Sequence, residues 1–398
     1  MPNNNNKRND ARNIALDKLD FSSAPKAKSA KGGKSDKIKG RPKSAGARFA
    51  EAVLPQRGDT ATEKIRKVVL FAAVIVFIAT LVLLATQLAG LKNGAKINDK
   101  IAEIAGVPTG TIDVDNDYRP FSTHPATAPT EPDPEEPEEE EYINVTPVVN
   151  TPIYPDFAAL KATNPDTRAW VKITGTKVNN VVVQSTDNQY YLNHDFNGND
   201  SITGTVFSSY RNKWDGTDEN IILFGHNMIS GDFFASLGHY APNDTSREPC
   251  AFYKVHPTVM LATPNGGCEV YKIFAGILVN TQPEYGEVFK YAGKTSFKDK
   301  TDFNNFIIDV MDRSWFFTDV DITYGDQLLT MSTCYYPLDG IDTRWVVFAR
   351  KVRPGESEFV DTTVVKRNYQ AKLFDYYYSI IGGQWYGSVW DKSKLLSY

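Results

Sequence analysis

The sequence predicts a mainly β fold, a barrel or a sandwich, carried behind one transmembrane helix. Three observations predict it. A run of 24 residues, Val68 to Leu91, carries no charge. Eight short β-rich runs separated by turn clusters occupy the stretch from Ala169 to Lys351, with few helical periods among them. Across 398 residues, 41% are hydrophobic and 12% aromatic, enough for a packed core and incompatible with wholesale disorder.

Residues 1–67 hold 17 Lys/Arg against 7 Asp/Glu and show no sustained apolar period. They predict a disordered, basic cytoplasmic tail whose cations meet membrane lipid headgroups. No interleaved aromatics or recognisable module accompany the charge, so nucleic acid is not expected as a partner. Residues 68–91, at 1.5 Å per residue, are long enough to cross a hydrocarbon core of about 30 Å. With 67 residues ahead of it, the run predicts a retained anchor rather than a cleaved signal peptide. Lys64, Arg66 and Lys67 abut its start, whereas Lys92, Lys96 and Lys100 are mixed with acids beyond its end. That bias predicts a single-pass cell-membrane protein with its N-terminus in the cytoplasm and its bulk extracellular.

Residues 92–141 read as a spacer, in which Asn98 to Ala105 could continue as a short helix. Prolines recur from Pro108 onward, and residues 131–141 (EPDPEEPEEEE) place eight carboxylates in eleven positions. Like charges repel and proline stiffens, so an extended segment is expected, holding the next domain away from the membrane. The acids lack the spacing and the glycine of an EF-hand calcium loop.

The folded domain is expected over 142–353. Asp156 to Thr163 reads as a short helix, ended at Asn164 because a residue before proline is pushed out of the helical region. The strands follow at Ala169–Ile173, Asn180–Gln184, Gly204–Phe207, Asn220–Phe224, Val259–Ala262, Val270–Leu278, Gln327–Met331 and Trp345–Lys351. Thr301 to Asp312 has apolar residues at 303, 306, 307 and 310, a helical period between strands. The last stretch, 354–398, carries too many aromatics for a disordered tail, and a partly helical segment over Asp361–Ile381 packed on the barrel is expected. Interfacial membrane contact or a partner site is the alternative.

Three cysteines, without a C-x-x-C pair, support neither a disulfide framework nor structural zinc, and no metal or cofactor is expected. Cys250 and Cys268 could be bridged or could be two buried thiols. His124, His194, His239 and His256 read as ordinary spacer, surface, core or turn residues. Three other residues attract attention. Cys334 ends LLTMSTC, His226 follows a strand in NIILFGHN, and Arg344 opens DTRWVVFAR. A thiol is an effective nucleophile only as thiolate, which a nearby imidazolium and guanidinium stabilise. An arginine also supplies fixed positive charge where a tetrahedral oxyanion develops. All three sit at strand edges, which a barrel could gather at one rim. Asp339 and Asp342 tempt as a third catalytic member, but loop acids at a turn need no such role.

TMSTC with Arg344 ten residues later, and FGHN upstream, resemble the sortases, membrane-anchored cysteine transpeptidases of Gram-positive bacteria. The class B branch fits best, through NPDTRAWVKITGT at 164–176, VVQSTDNQYYLNHDFNG at 182–198 and GTVFSSYRN at 204–212. The likeness runs from about Asp156 to Lys351. Met331 departs from the family's usual leucine, an apolar swap that a strand should tolerate. The resemblance implies an eight-stranded sortase-type barrel with N-terminal helices and a helix inserted between the sixth and seventh strands, here Thr301–Asp312. It implies Cys334, His226 and Arg344 as catalytic residues, acting on the bond after Thr in a C-terminal sorting motif through a thioacyl-enzyme. The implied partners are surface proteins bearing that motif and an amine acceptor, a cell-wall precursor or a protein lysine. Asn188, Leu192, Thr281, Tyr285 and Ser332 match positions lining the class B substrate groove, although core packing accounts equally well for Leu192 and Tyr285. Gly286 stands where a larger apolar residue is common. A non-catalytic extracellular binding module with a buried Cys334 is the competing reading. A papain-like hydrolase would need its nucleophile at the start of a long helix.

Overall fold

The computed structural model describes residues 44–109, 147–242, 250–338 and 340–395. The chain divides into two compact units, one to Ile78 and one from Ala79 onward. Most of the basic tail, the acidic run at 131–141, His124 and Asp339 lie outside the described residues.

In the first unit, helix α1 spans Ala45–Val53 and α2 begins at Ala61. Both fall inside the region expected to be disordered. The reason for the second start is a capping box: Glu63 N donates to Thr60 Oγ1 at 3.3 Å, and Thr60 N donates to Glu63 Oε2 at 3.0 Å. Helix α2 runs without a break through Ala105, 45 residues in all, and includes an apolar window long enough to cross a membrane.

The end of α2 belongs to the second unit, and residues 92–105 are helical, a longer stretch than the short helix expected at Asn98–Ala105. Gly90, Gly94, Asn98, Ile101 and Ala105 recur at helical spacing, and Ile101, Ala102 and Ala105 are buried. Asn180 Nδ2 donates to Asn98 Oδ1 at 3.1 Å. Gly94 is required by contact, since a Cβ there would stand 2.3 Å from Thr203 Oγ1. Asp156 N donates to Ala105 O at 2.9 Å, so the chain leaves this face after α2 and returns to it at Asp156. The end of α2 is thus held on the barrel by direct contacts.

Helix α3 (Phe157–Thr163) starts on Asp156, whose side chain accepts from Ala159 N at 2.9 Å. Eight strands then close a barrel: β1 Thr167–Lys172, β2 Asn179–Val183, β3 Phe207–Ser208, β4 Asn220–Phe224, β5 Thr258–Thr263, β6 Gly267–Asn280, β8 Leu328–Cys334 and β9 Thr343–Lys351. Their order around the barrel is β1-β2-β3-β4-β8-β9-β6-β5, with β2–β3 and β4–β8 parallel. Each predicted strand is present. The third is shorter and later than expected, because Thr205 N is committed to Tyr191 O at 3.0 Å in a turn rather than to a ladder. A short helix α4 (Ala251–Val255) precedes β5.

Alternation within β1 and β2 sorts the core. Ala169, Val171 and Val182 face the larger apolar cluster, while Trp170, Val181 and Val183 face a smaller one under α3 and the end of α2. Helix α5 (Lys300–Arg313), the predicted insertion, is capped by Asp299 and buries Phe303, Phe306, Ile307 and Val310. Where β6 passes beneath Trp345 and Phe316 only glycine fits, because a Cβ on Gly276 would lie 2.7 Å from the indole.

The C-terminal stretch packs as expected, with less helix. A two-residue ladder joins β7 (Phe316–Phe317) to β10 (Lys366–Arg367), and α6 covers only Asp375–Ile381. Val360, Val365, Phe374, Tyr377 and Trp390 join the main core, and each such side chain contributes about 1.5–3 kcal/mol on burial. All three cysteines are unbridged. His256 is buried with Nδ1 2.9 Å from Thr174 O, and burial lowers its pKa to about 4.

Candidate active site

Three strand ends set the site. Strands β8 and β9 pair antiparallel with Cys334 opposite Arg344. Directly opposed residues hold their Cβ atoms about 4.5–5.5 Å apart on one face, so thiol and guanidinium start side by side. On the other flank of β8, β4 runs parallel with Phe224 level with Ser332, and Gly225 N donates to Ser332 O at 3.2 Å. His226 lies two residues past the end of β4, and the residue that follows it is bonded to Cys334. Asn227 Nδ2 donates to Cys334 O at 2.9 Å and Thr333 Oγ1 to Gly225 O at 2.8 Å, tying the two strand ends together.

His226 Nε2 lies 2.8 Å from Leu192 O. A carbonyl only accepts, so Nε2 carries the hydrogen and the lone pair of the neutral ring sits on Nδ1. Leu192 ends the 3-10 turn Tyr190–Leu192 and meets the site through its backbone, while its side chain packs on the smaller core cluster. Asn188 lies on the same loop, its Oδ1 accepting from Tyr210 N at 3.0 Å.

Arg344 is clasped by Asp342. Nη1 donates to Asp342 Oδ1 and Nη2 to Oδ2, the latter at 3.0 Å, while Thr281 Oγ1 donates to Oδ2 at 2.7 Å. Partial burial pushes the Asp342 carboxyl up, but hydrogen bonds from Arg344 and Thr281 outweigh it and hold its pKa below the usual value. Burial weakens the guanidinium's hold on its proton, yet Asp342, with Cys334 nearby, more than restores it. Both partners are therefore charged at neutral pH. A guanidinium has five N–H donors. Two of those on Arg344 meet Asp342 and a third meets Thr343 O at 3.0 Å, which leaves Nε–H and one Nη2 hydrogen without a partner among the described residues.

Two phenols border the sulfur. Tyr291 is buried with its hydroxyl 2.7 Å from Ser332 Oγ, and burial raises its pKa to about 12. Tyr336 is exposed; partial burial and its hydrogen bond to Cys334 likewise raise it to about 12. Both phenols are neutral at pH 7.

The structure thus gathers Cys334, His226 and Arg344, and brings Thr281 to them through Asp342. It does not bring the Ser332 side chain to a groove: that residue is 2% exposed and spent on Tyr291, so it stands beneath the site. Tyr285, in the 3-10 turn Pro283–Tyr285, lies against Tyr376, ring centroids 4.9 Å apart. Asp342, dismissed in sequence as a turn acid, is the largest omission, followed by Asn227, Tyr291 and Tyr336. Asn227 follows His226 directly and Asp342 precedes Arg344 by two, adjacencies that could have flagged them.

A family model of the sortase domain matches residues 171–352. Sortase B of Listeria monocytogenes is 31% identical over 204 residues, covering 51% of this chain and 77% of that protein. The chain belongs to the class B sortases. Sortase B of Staphylococcus aureus is 27% identical over 201 residues, 50% of this sortase and 76% of that one. The crystal structure of Clostridium perfringens sortase B, 32% identical, matches 50% of this chain and 100% of its own with a TM-score of 0.43. Sortases are cysteine transpeptidases. The family match to this sortase stops at residue 352, short of β10 and α6.

Proposed function

We propose that this sortase is a single-pass, membrane-anchored transpeptidase that cuts after Thr in a C-terminal sorting motif and joins the new carboxyl to an amine. The observation that carries the reading is the meeting of the strand ends, with Cys334 opposite Arg344 and Asn227, the neighbour of His226, bonded to Cys334 O. The Cys334 thiolate attacks the Thr carbonyl carbon. The resulting oxyanion is met by the two uncommitted donors of Arg344, a preorganised charge where charge develops. The C–N bond then breaks, protonated His226 gives its Nδ1 proton to the departing amine, and a thioester remains on Cys334. An incoming amine loses a proton to the same nitrogen, attacks the thioester and releases the thiolate, which balances the cycle. The acceptor is an amine of a cell-wall precursor or a lysine of another protein. Asn188, Leu192, Thr281 and Tyr285 line the approach to the sulfur in this reading, and Ser332 supports it from below through Tyr291. The basic flank of the anchor favours an N-terminus inside and the barrel outside.

A panel of fluorogenic peptides carrying variants of N-P-x-T-x and S-P-x-T-G tests it. Turnover by the wild type, a thioacyl-enzyme visible by intact mass, and loss of both in a folded Cys334→Ala variant are expected. Arg344→Lys should be severely impaired, because an ammonium lacks the planar fork. Wild-type turnover in folded Cys334→Ala would leave a membrane-anchored binding module as the better account.

A further inference from the structure

We propose that the added C-terminal segment, Lys372 to Ile381, is a brace that fixes the wall of the substrate groove formed by residues 281–291. The inference rests on the transpeptidase reading for its kinetic consequence, and on geometry for the brace itself.

The loop from Thr281 to Tyr291 is tied to the active-site strands at both ends. At its start, Thr281 N donates to Asp342 O at 3.1 Å, and Asp342 N donates to Gln282 Oε1 at 3.2 Å. At its finish, the Tyr291 hydroxyl meets Ser332 Oγ at 2.7 Å. The two ends of this loop are therefore pinned to the active-site strands, and its middle is the part left for a brace to hold.

The middle of the loop is held from outside the region that matches the family. Tyr285 packs edge-on against Tyr376. Gly286, at φ 116°, approaches α6 so closely that a Cβ would lie 2.8 Å from Asp375 N. Glu287 accepts from Lys372 Nζ and from Arg313 Nη2, both at 2.7 Å. This also explains why glycine occupies position 286: any side chain there would collide with α6. The brace has its own footing. Lys372 N donates to Asp312 O at 2.7 Å, Leu373 N to Tyr378 Oη at 3.0 Å, and Phe374 and Tyr377 are buried in the main core. A segment fixed to α5 and to the core thus clamps three consecutive residues of the groove loop.

The test uses the full-length protein in detergent micelles. Tyr376 is 39% exposed, so Tyr376→Ala removes the ring contact without opening the core. Hydrogen exchange across 282–290 should speed up, and KM for a sorting peptide should rise by about 3- to 10-fold, the scale of a lost edge-to-face aromatic pair. The turnover number kcat should stay within about twofold, and Tyr376→Phe, which keeps the ring, should restore both readouts. Unchanged exchange overturns the brace, as does a fall in kcat at constant KM. Should the wild type turn over no peptide, the transpeptidase reading fails separately, and faster exchange in Tyr376→Ala still upholds the brace while unchanged exchange overturns it.

Discussion

Asp342→Ala removes both oxygens on which the Arg344 guanidinium rests. Buried hydrogen bonds to charged groups are worth about 1.5–3 kcal/mol each. Here the two side chains are 27% and 40% exposed, and screening by water brings the stability loss down to about 1 kcal/mol. The effect on catalysis should be larger. Deleting an oxyanion donor outright costs about 10²–10³ in kcat, which is the ceiling for a variant that keeps the arginine but frees its rotamer. A loss of about 10- to 100-fold in kcat, with KM little changed, is therefore expected. Pre-steady-state acylation of the full-length protein by a fluorogenic peptide reads it directly. Because Asp342 acts through Arg344, the double variant with Arg344→Ala should be no slower than Arg344→Ala alone. Additive losses, or an Asp342→Ala enzyme as fast as wild type, would refute the argument. The depressed pKa of Asp342 gives a second check. The carboxylate is charged above its lowered value, so the clamp is lost only as pH falls through that value, below the ordinary 3.8. Any acid limb of the activity profile above that range must come from another group and should persist in Asp342→Asn.

Two further predictions concern stability. Arg350 is 1% exposed and receives both Glu356 oxygens, at 2.7 and 2.8 Å, so Glu356→Gln should cost about 2–3 kcal/mol in urea unfolding. Hydrogen bonds from Arg350 and Lys272 depress the Glu356 pKa despite some burial, so the deficit should be complete above its ordinary 4.5 and shrink as pH falls toward the folded-state value; a pH-independent deficit would contradict this. Gly94→Leu drives a side chain into Thr203 and should lower stability by about 1–3 kcal/mol while speeding amide exchange around Asn180. Unchanged exchange there would mean that the end of α2 is not seated on the barrel.

Local pattern made the barrel and the candidate nucleophile readable. Short β-rich runs between turn clusters marked the strands, and Cys334, His226 and Arg344 stood out because each lies at or just past a strand end. What stayed hidden depends on pairings far apart in the chain. Asn227 meets Cys334 across 107 positions and Tyr291 meets Ser332 across 41, and no window of sequence holds both partners. Asp342 looks like any turn acid until the β6–β9 ladder delivers Thr281 to its Oδ2, which Arg344 also meets. The end of α2 was misread for a different reason. Its lysines and Asn93 face outward and mask a stripe of Gly90, Gly94, Asn98, Ile101 and Ala105 whose period is legible only when residues are counted by face.

The two arginines of β9 show how one strand serves both chemistry and stability. Arg344 and Arg350 are six positions apart, an even spacing that places them on the same face, and both have carboxylate partners. Arg350 spends all five donors: Nε on Asp321 O, Nη1 on Lys351 O and Glu356, and Nη2 on Asp321 and Glu356. A charge so enclosed has nothing left to offer a substrate, and its burial is tolerable only because every hydrogen is matched. Arg344 has a single carboxylate, which fixes the plane of the guanidinium while leaving two hydrogens open beside Cys334. A second acid at that end would hold the arginine more firmly and consume the donors an oxyanion needs. In the proposed mechanism, the incomplete satisfaction of Arg344 is thus the feature that separates a reactive strand end from a structural one.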